Sequence, residues 1–400
     1  MPIVSHKRRV LLMAPQPFYE DRGTPIALRH VLRALVELGH EVDVLTFPVG
    51  RSLELPGVRY FRAPNPLRFR SIPVGFSLRK VFLDLFLWWM LRDCLKRNRY
   101  LCVQAVEEAG FAAVAACRGR GVPVVYDMQS SLPEQLAPHP VFGTTPFQAL
   151  GRRLESWLLR SADFVVCSAG LGDRIRAAAP GVAFREWRFP SELPPVSREQ
   201  VAALRAELGV PDGAPVVVYS GTFEAYQGLP LLIEAVPRIA REVPEVVFVL
   251  VGAARTHELD AARRALPADL QPRVRLLPRQ ERSAVPRYLE LADVLVSPRT
   301  QGANLPLKVF DYMAAGKPIV ATDIPAHRAV LDTSRALLVE AGAEPLADGI
   351  AALLHDRARG RELAEAAREF VQGENAWGRF VESVREIFED VAARAEARGD

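Results

Sequence analysis

No stretch of about 18 uncharged apolar residues occurs in the chain, so no transmembrane helix is expected. Cysteine is scarce: Cys94, Cys102, Cys117 and Cys167 are the four in 400 residues, with no Cys-x-x-Cys pair and no companion histidine cluster. That spacing excludes a disulfide framework and a zinc site, and a reducing cytoplasm is the expected setting. The seven histidines are scattered, and none of His30, His40, His257 and His327 is assigned as a base. Zinc-finger, RNP-type and basic-zipper patterns are missing as well, so no nucleic-acid partner is expected. No compositional signature of extended disorder is present.

What is there fits two ordinary domains. At 400 residues, 49% hydrophobic and 24% charged, the chain exceeds the usual size of a single core. The opening "MPIVSHKRRVLLMAP" carries basic residues, but its apolar run is short and contains a proline. It reads as a first strand rather than a signal peptide. Charge divides unevenly, with 26 Lys+Arg and 16 Asp+Glu in residues 1–190 (net +10) and net −6 in the rest. Such a split points to nucleic acid, a membrane surface or a phosphate-bearing substrate, the first already excluded by motif. The most apolar segment, "VFLDLFLWWML" at 81–91, is broken by Asp84 and flanked by basic residues. Two readings stay open for it: a core helix with a solvated basic end, or a helix on an anionic membrane surface.

Strand and helix signals alternate throughout. "RRVLLMAP", "EVDVLTF", "YLCVQAV", "VPVVYDM" and "DFVVCSA" are apolar runs, and "TPIALRHVLRALVELGH" is a helix stopped by Gly39. That order implies parallel sheets with crossover helices. "EWRFPSELPP" at 186–195 breaks the periodicity with prolines and reads as the linker. The second half repeats the pattern in "APVVVYSGTFEAYQGLPLLIEAV", "VVFVLVGA", "RVRLLPR", "DVLVSP" and "KPIVATD". The organisation expected is an N-terminal Rossmann-like domain over 1–190, a second over 191–375, and a helix over 376–400 packing back on the first. Ligands of open parallel sheets bind outside the carboxyl ends of the strands, so the loops there are where chemistry is sought.

Two such loops stand out. Gly221 ends "PVVVYS", permits close backbone approach, and precedes a helix whose positive end aims at the same spot; Gly also terminates ordinary strands. In "TQGANLPLKVFDYMAAGKPIVATD" at 300–323, Lys308 stands in the first turn of a helix, where the dipole disfavours a cation unless an anion is near. Lys308 is either a point charge for a phosphate or a solvated surface lysine. Asp311, three residues on, either pairs with Lys308 or accepts from ligand hydroxyls.

Taken together these blocks resemble the retaining glycosyltransferases of family 4, whose fold, GT-B, is α/β: two Rossmann-like doubly wound domains with a cleft between them and a C-terminal crossover helix. The resemblance spans nearly the whole chain and is most specific at "ADVLVSPRTQGANLPLKVFDYMAAGKPIVATD". It implies sugar transfer from a nucleotide diphosphate sugar on the C-terminal domain to a glycan or lipid-linked acceptor on the N-terminal one. Gly23 and Thr24 of "RGTP" correspond to the loop beside the donor. The family usually has Arg and Lys where this chain has Thr222 and Gln227 in "GTFEAYQG", so Lys308 or Arg299 is the candidate for neutralising the diphosphate. Its two-glutamate motif becomes Gln301-Gly302, Leu305-Pro306 and then Asp311, with Asn304 between. Gln301 accepts a hydrogen bond but carries no charge, and Asp311 keeps the charge at shorter reach.

On the acceptor side, Gln104 and Gln129 stand where relatives have histidine, with Glu107, Glu108 and Asp127 the neighbouring carboxylates; solvation explains Glu108 equally well. The resemblance also implies no cofactor and no metal, and no Asp-x-Asp follows a strand. The resulting reading is a hexosyltransferase of cell-surface polysaccharide or glycolipid synthesis, cytoplasmic, at the inner face of the membrane if the basic half docks there. A nucleotide-sugar 2-epimerase and a non-catalytic nucleotide-sugar-binding relative are the alternatives.

Overall fold

The computed structural model describes residues 9–20, 23–72, 77–137, 139, 141–191, 193–301 and 306–396. The chain divides into two units, residues 1–189 with 378–400 and residues 190–377. Unit 1 runs β1 (Arg9–Ala14), α1 (Gly23–Glu37), β2 (Glu41–Thr46), β3 (Val58–Arg62), α2 (Leu78–Arg97), β4 (Cys102–Val106), α3 (Ala109–Cys117), β5 (Val124–Met128), α4 (Leu132–Leu136), α5 (Thr145–Ser161), β6 (Phe164–Ser168), α6 (Gly172–Ala178) and β7 (Phe184–Trp187). Its seven-stranded sheet has the order β3-β2-β1-β4-β5-β6-β7, every pair parallel.

Unit 2 runs α7 (Arg198–Glu207), β8 (Val216–Ser220), α8 (Leu229–Glu242), β9 (Val247–Ala253), α9 (Thr256–Ala265), β10 (Val274–Pro278), α10 (Val285–Leu291), β11 (Val294–Ser297), α11 (Lys308–Ala315), β12 (Ile319–Thr322), α12 (Pro325–Arg328), β13 (Leu337–Val339), α13 (Ala343–His355) and α14 (Arg357–Glu374). Its six-stranded sheet, order β10-β9-β8-β11-β12-β13, is parallel throughout. The last helix, α15 (Trp377–Glu396), falls almost wholly within unit 1.

The central strands are buried end to end because helices cover both faces of a parallel sheet, which is why their sequences are unbroken apolar runs. The four edge strands β3, β7, β10 and β13 are only half covered, and of these β3, β7 and β13 make no comparable run. β7 includes Glu186 and Trp187, so the first two residues of the stretch read as linker finish a strand.

Helix α15 is amphipathic, with Phe380, Val384, Ile387, Phe388 and Val391 on one buried stripe. Phe380 meets Trp187, Phe189 and His30 at centroid distances of 5.8, 5.7 and 6.3 Å, and Phe388 meets His40 at 6.0 Å. Near its other end Arg394 donates to the Asp163 carbonyl. Phe380→Ala is expected to lower the stability of unit 1 by about 3–5 kcal/mol, the cost of a cavity in an aromatic cluster. Trp89→Ala, at a side chain 65% exposed, is expected to be nearly silent in the same urea melt.

Candidate functional site

Those residues singled out from the sequence that the structure describes gather at the carboxyl ends of the strands, one group in each unit. In unit 2 the loops after β8, β9 and β11 are pressed together. Gly228, the N-cap of α8 at φ +74°, lies so close to the β11 loop that a Cβ there would fall 1.7 Å from the Pro298 carbonyl oxygen. Gly252, at φ +136°, abuts Gly221 in the same way, at 1.9 Å. Only glycine allows either approach.

Lys308 opens α11, and its side chain runs back to the β8 loop. Its ammonium is 4.4 Å from the centroid of the Tyr219 ring, and a Cβ on Gly221 would be 3.0 Å from it. The residue as a whole is half-buried, yet Nζ is buried and has no hydrogen-bond partner. Burial, and then the charge of Arg299, pull the Lys308 pKa down to about 7. The Tyr219 ring that underlies it is locked by its own phenol, which donates to the Thr222 carbonyl at 2.6 Å.

Arg299 is 5% exposed; its guanidinium lies 5.4 Å from the Tyr226 centroid and its Nε donates to the Gln301 carbonyl at 2.6 Å. The Thr322 hydroxyl donates to the Arg299 carbonyl from below. His327 braces that floor, with Nδ1 2.7 Å from the Thr322 carbonyl and Nε2 2.9 Å from Ser297 Oγ. Burial, with Lys308 and Arg299 adding to it, depresses the His327 pKa to about 4, so the ring is neutral and donates from Nδ1.

Lys308 is not alone in lacking a partner. Gln227 Oε1 and Arg279 Nη2 are likewise buried and unpaired, and these are the three such atoms of unit 2 among the described residues. Each belongs to a loop or helix start at the same strand edge. Thr222 donates to Glu224 at 3.2 Å.

Asp311 does not pair with Lys308. Its carboxylate takes both terminal nitrogens of Arg282, at 2.6 and 2.7 Å, and the Ser191 hydroxyl at 2.9 Å, and is 3% exposed. Of the other donor-side residues, Gln301 is exposed, while Gly302, Asn304 and Leu305 lie outside the described residues. In unit 1, Gly23 opens α1 with open space around it, and Thr24 follows half-buried.

The acceptor-side residues of unit 1 form a layered polar network. Asp127 is completely buried and accepts from Gln104 (2.8 Å), Gln129 (2.5 Å) and Trp187 Nε1 (3.1 Å); Ser168 donates to Gln129 Oε1 at 2.8 Å. Burial raises the Asp127 pKa to about 6. The two glutamines in the histidine positions therefore hold a carboxylate rather than face outward. Glu107, at φ +52°, sits above this layer, with its N–H on the Asp127 carbonyl at 3.0 Å and its carboxylate accepting from Ser130 at 2.6 Å and Gln135 at 3.2 Å. Burial first, and Glu108 second, push its pKa well above the carboxylate range. Glu108 is paired with Lys80 at 3.0 Å, so solvation is not what explains it, and Asp84 beside them is raised to about 7 by burial.

Lys80, Asp84, Ser130, Gln135, Trp187, Ser191, Arg279, Arg282 and His327 complete these two sites without having been singled out. Lys80 and Asp84 carried one signal, as charges interrupting an apolar helix; the others carried none. Among the described residues no group of three or more His, Cys, Asp or Glu side chains converges as a metal site would require.

Comparison with known proteins adds to this geometry. Residues 214–356 match the model described as glycosyl transferases group 1, and residues 22–181 match the glycosyl transferase 4-like domain. The D-inositol 3-phosphate glycosyltransferase of Xylanimonas cellulosilytica is 29% identical over 231 residues, 56% of this chain and 54% of that protein. The phosphatidyl-myo-inositol mannosyltransferase of Mycobacterium tuberculosis is 28% identical over 191 residues, 46% of this chain and 49% of that protein. The chain thus spans about half the length of the curated relatives it matches. Sucrose-phosphate synthase of Thermosynechococcus elongatus superposes with a TM-score of 0.81 at 20% identity, covering 96% of this chain and 99% of that one. Anabaena HepE, solved with UDP-glucose, superposes at 0.74 and 18% identity, covering 96% and 100%. These likenesses bear on the fold, which is GT-B. By the two domain matches, the chain belongs to the family 4 glycosyltransferases.

Proposed function

We propose that the chain transfers a sugar, with retention at the anomeric carbon, from a nucleotide diphosphate sugar held by unit 2 to a glycan or lipid-linked acceptor met by unit 1. The observation that carries this reading is the unpaired Lys308 ammonium, with Gln227 and Arg279, at the strand edge of unit 2. Sinking a charge without a counter-ion costs several kcal/mol, and a diphosphate at that edge supplies what is missing. The N-terminus of α8 adds backbone donors and the positive end of a dipole. The donor class is further supported by the UDP-glucose held by a protein of the same fold, and the acceptor class by curated relatives named for inositol phosphate and phosphatidylinositol.

In this reading the bond between the anomeric carbon and the phosphate oxygen breaks, and its electrons leave with the nucleoside diphosphate. Lys308 and Arg299 receive that charge in a dry site where it is worth most. The acceptor oxygen attacks, and its proton passes to a phosphate oxygen of the leaving group. Gln301 hydrogen-bonds a sugar hydroxyl. Asp311, already gripped by Arg282 and Ser191, holds that arginine and the start of α11 in place and has little surface left for a ribose. Thr222 and Gln227 replace cations by neutral donors and acceptors, so the positive charge comes from α11 and the β11 loop. We assign no metal to the diphosphate.

Nucleoside diphosphates and their sugars are expected to raise the melting temperature in the presence of EDTA by mass action. A screen in which none does so sinks the donor reading. Because the Lys308 pKa lies below its ordinary 10.5, the unfolded chain holds the extra proton between about 7 and 10.5, and stability rises with pH across that window. Lys308→Met is therefore expected to raise the unliganded melting temperature while weakening diphosphate binding by about ten- to a hundredfold. Binding at pH 8 is expected to take up a proton, visible as a buffer-dependent calorimetric enthalpy that Lys308→Met abolishes. Glu107→Gln is expected to leave donor affinity unchanged and to lower kcat/KM for the acceptor by about tenfold or more. Equal loss of both would place Glu107 in the scaffold.

A further inference from the structure

The large apolar side chains that stay exposed are not scattered over unit 1. In α2 they are Leu78, Val81, Leu85 and Trp89, spaced three or four residues apart along one side of the helix. The opposite side, Leu83, Leu87, Leu91 and Cys94, is buried against the sheet. In α5 the exposed set is Phe147, Leu150, Leu154 and Trp157, again one stripe, while Gly151, Glu155, Leu158 and Leu159 are buried. Leu85 is 63% exposed, Trp89 65% and Leu150 50%, values out of keeping with solvated helix faces.

The topology places both stripes on one layer. α2, α3 and α5 are successive crossovers on the side of the sheet reached by running from β4 through β5 to β6, and right-handed connection puts all three on the same face. α3 touches both neighbours, and its Phe111 stacks on Trp157 with centroids 5.9 Å apart and planes within 2°. Between the stripes the residues of α3 that are not buried are Phe111, Ala112, Val114 and Ala115, so no polar row separates them.

Charge follows the same surface. Every charged residue classed as exposed among the described positions 77–161 is basic; no acid in that range is. Arg92 and Lys96 continue the α2 stripe, Arg92 covering the Trp88 ring at 4.8 Å. Arg152 and Arg153 flank the α5 stripe, and Arg118 and Arg120 lie at the foot of α3. An apolar face ringed by arginine and tryptophan, whose neighbouring Asp93 carboxylate is paired with Arg97 at 2.9 Å, complements a bilayer surface carrying anionic headgroups.

We propose that the α2–α3–α5 face of unit 1 docks on an anionic lipid bilayer, with the two apolar stripes entering the headgroup boundary side by side and the basic rim meeting lipid phosphates. No helix of the described residues is long and apolar enough to cross a membrane, so the attachment is to the surface. The two stripes act together, since each alone is a single row of side chains. The proposal stands independently of the transfer reading: it rests on the outer surface of unit 1 and uses none of the residues of either site.

The test is vesicle flotation of the full chain, with liposomes of phosphatidylcholine alone and of phosphatidylcholine with phosphatidylglycerol. Binding is expected to be about tenfold or more tighter to the anionic vesicles at low salt and to weaken as salt is raised. Leu85→Ser/Trp89→Ser and Leu150→Ser/Leu154→Ser are each expected to reduce binding about fivefold or more, and their combination to abolish it. All four positions are exposed, so the melting temperature is expected to stay at the wild-type value, as is nucleoside diphosphate binding if the donor reading holds. Failure to float with anionic vesicles overturns the proposal, as does flotation unaffected by the combined variant. A wild-type dimer that the combined variant splits, seen by light scattering, also overturns it by making the face a protein interface.

Discussion

Every strand of both sheets runs parallel to its neighbours, and that single constraint organises the rest. A parallel strand cannot be followed by a hairpin, so each must return through a helix, and every helix that follows a strand starts on the same edge of its sheet. There backbone donors and helix dipoles accumulate without partners. Both polar networks described above lie at such edges, and the apolar interior of each unit is what allows them to be dry.

Dryness gives the two edges opposite characters. In unit 2 it holds down the pKa of Lys308, beside Arg299, and keeps His327 neutral, so an anion at this edge would favour the protonated lysine. In unit 1 it raises Glu107, Asp127 and Asp84 toward neutrality and engages Lys80 with Glu108, so the edge is rich in hydrogen-bonding carboxyl groups with little net charge. In the proposed function the first edge takes the diphosphate and the second orients the acceptor hydroxyl.

The basic excess of the first half has an outward expression separate from this. Part of it lies around the exposed stripes of α2 and α5, while the inward sides of the same helices build the core. The apolar run at 81–91 is divided between core and surface: Leu83, Leu87 and Leu91 are buried, and Leu85 and Trp89 face out.

The order of strands and helices, the break near residue 190 and the place of Lys308 at a helix start were legible in the chain, because period and dipole act over a few residues. Of the half-covered edge strands, β10 was legible in "RVRLLPR", whereas β3, β7 and β13 were not, their compositions being mixed or their length short. Partnership was not legible either: Asp311 binds Arg282, 29 residues away, rather than the lysine one turn before it, and Gln104 and Gln129 converge on Asp127 from neighbouring strands. Local pattern records which residues can be buried and where helices begin. Which charges end up facing one another, and which ammonium is left facing none, is settled only when separate strands are laid side by side.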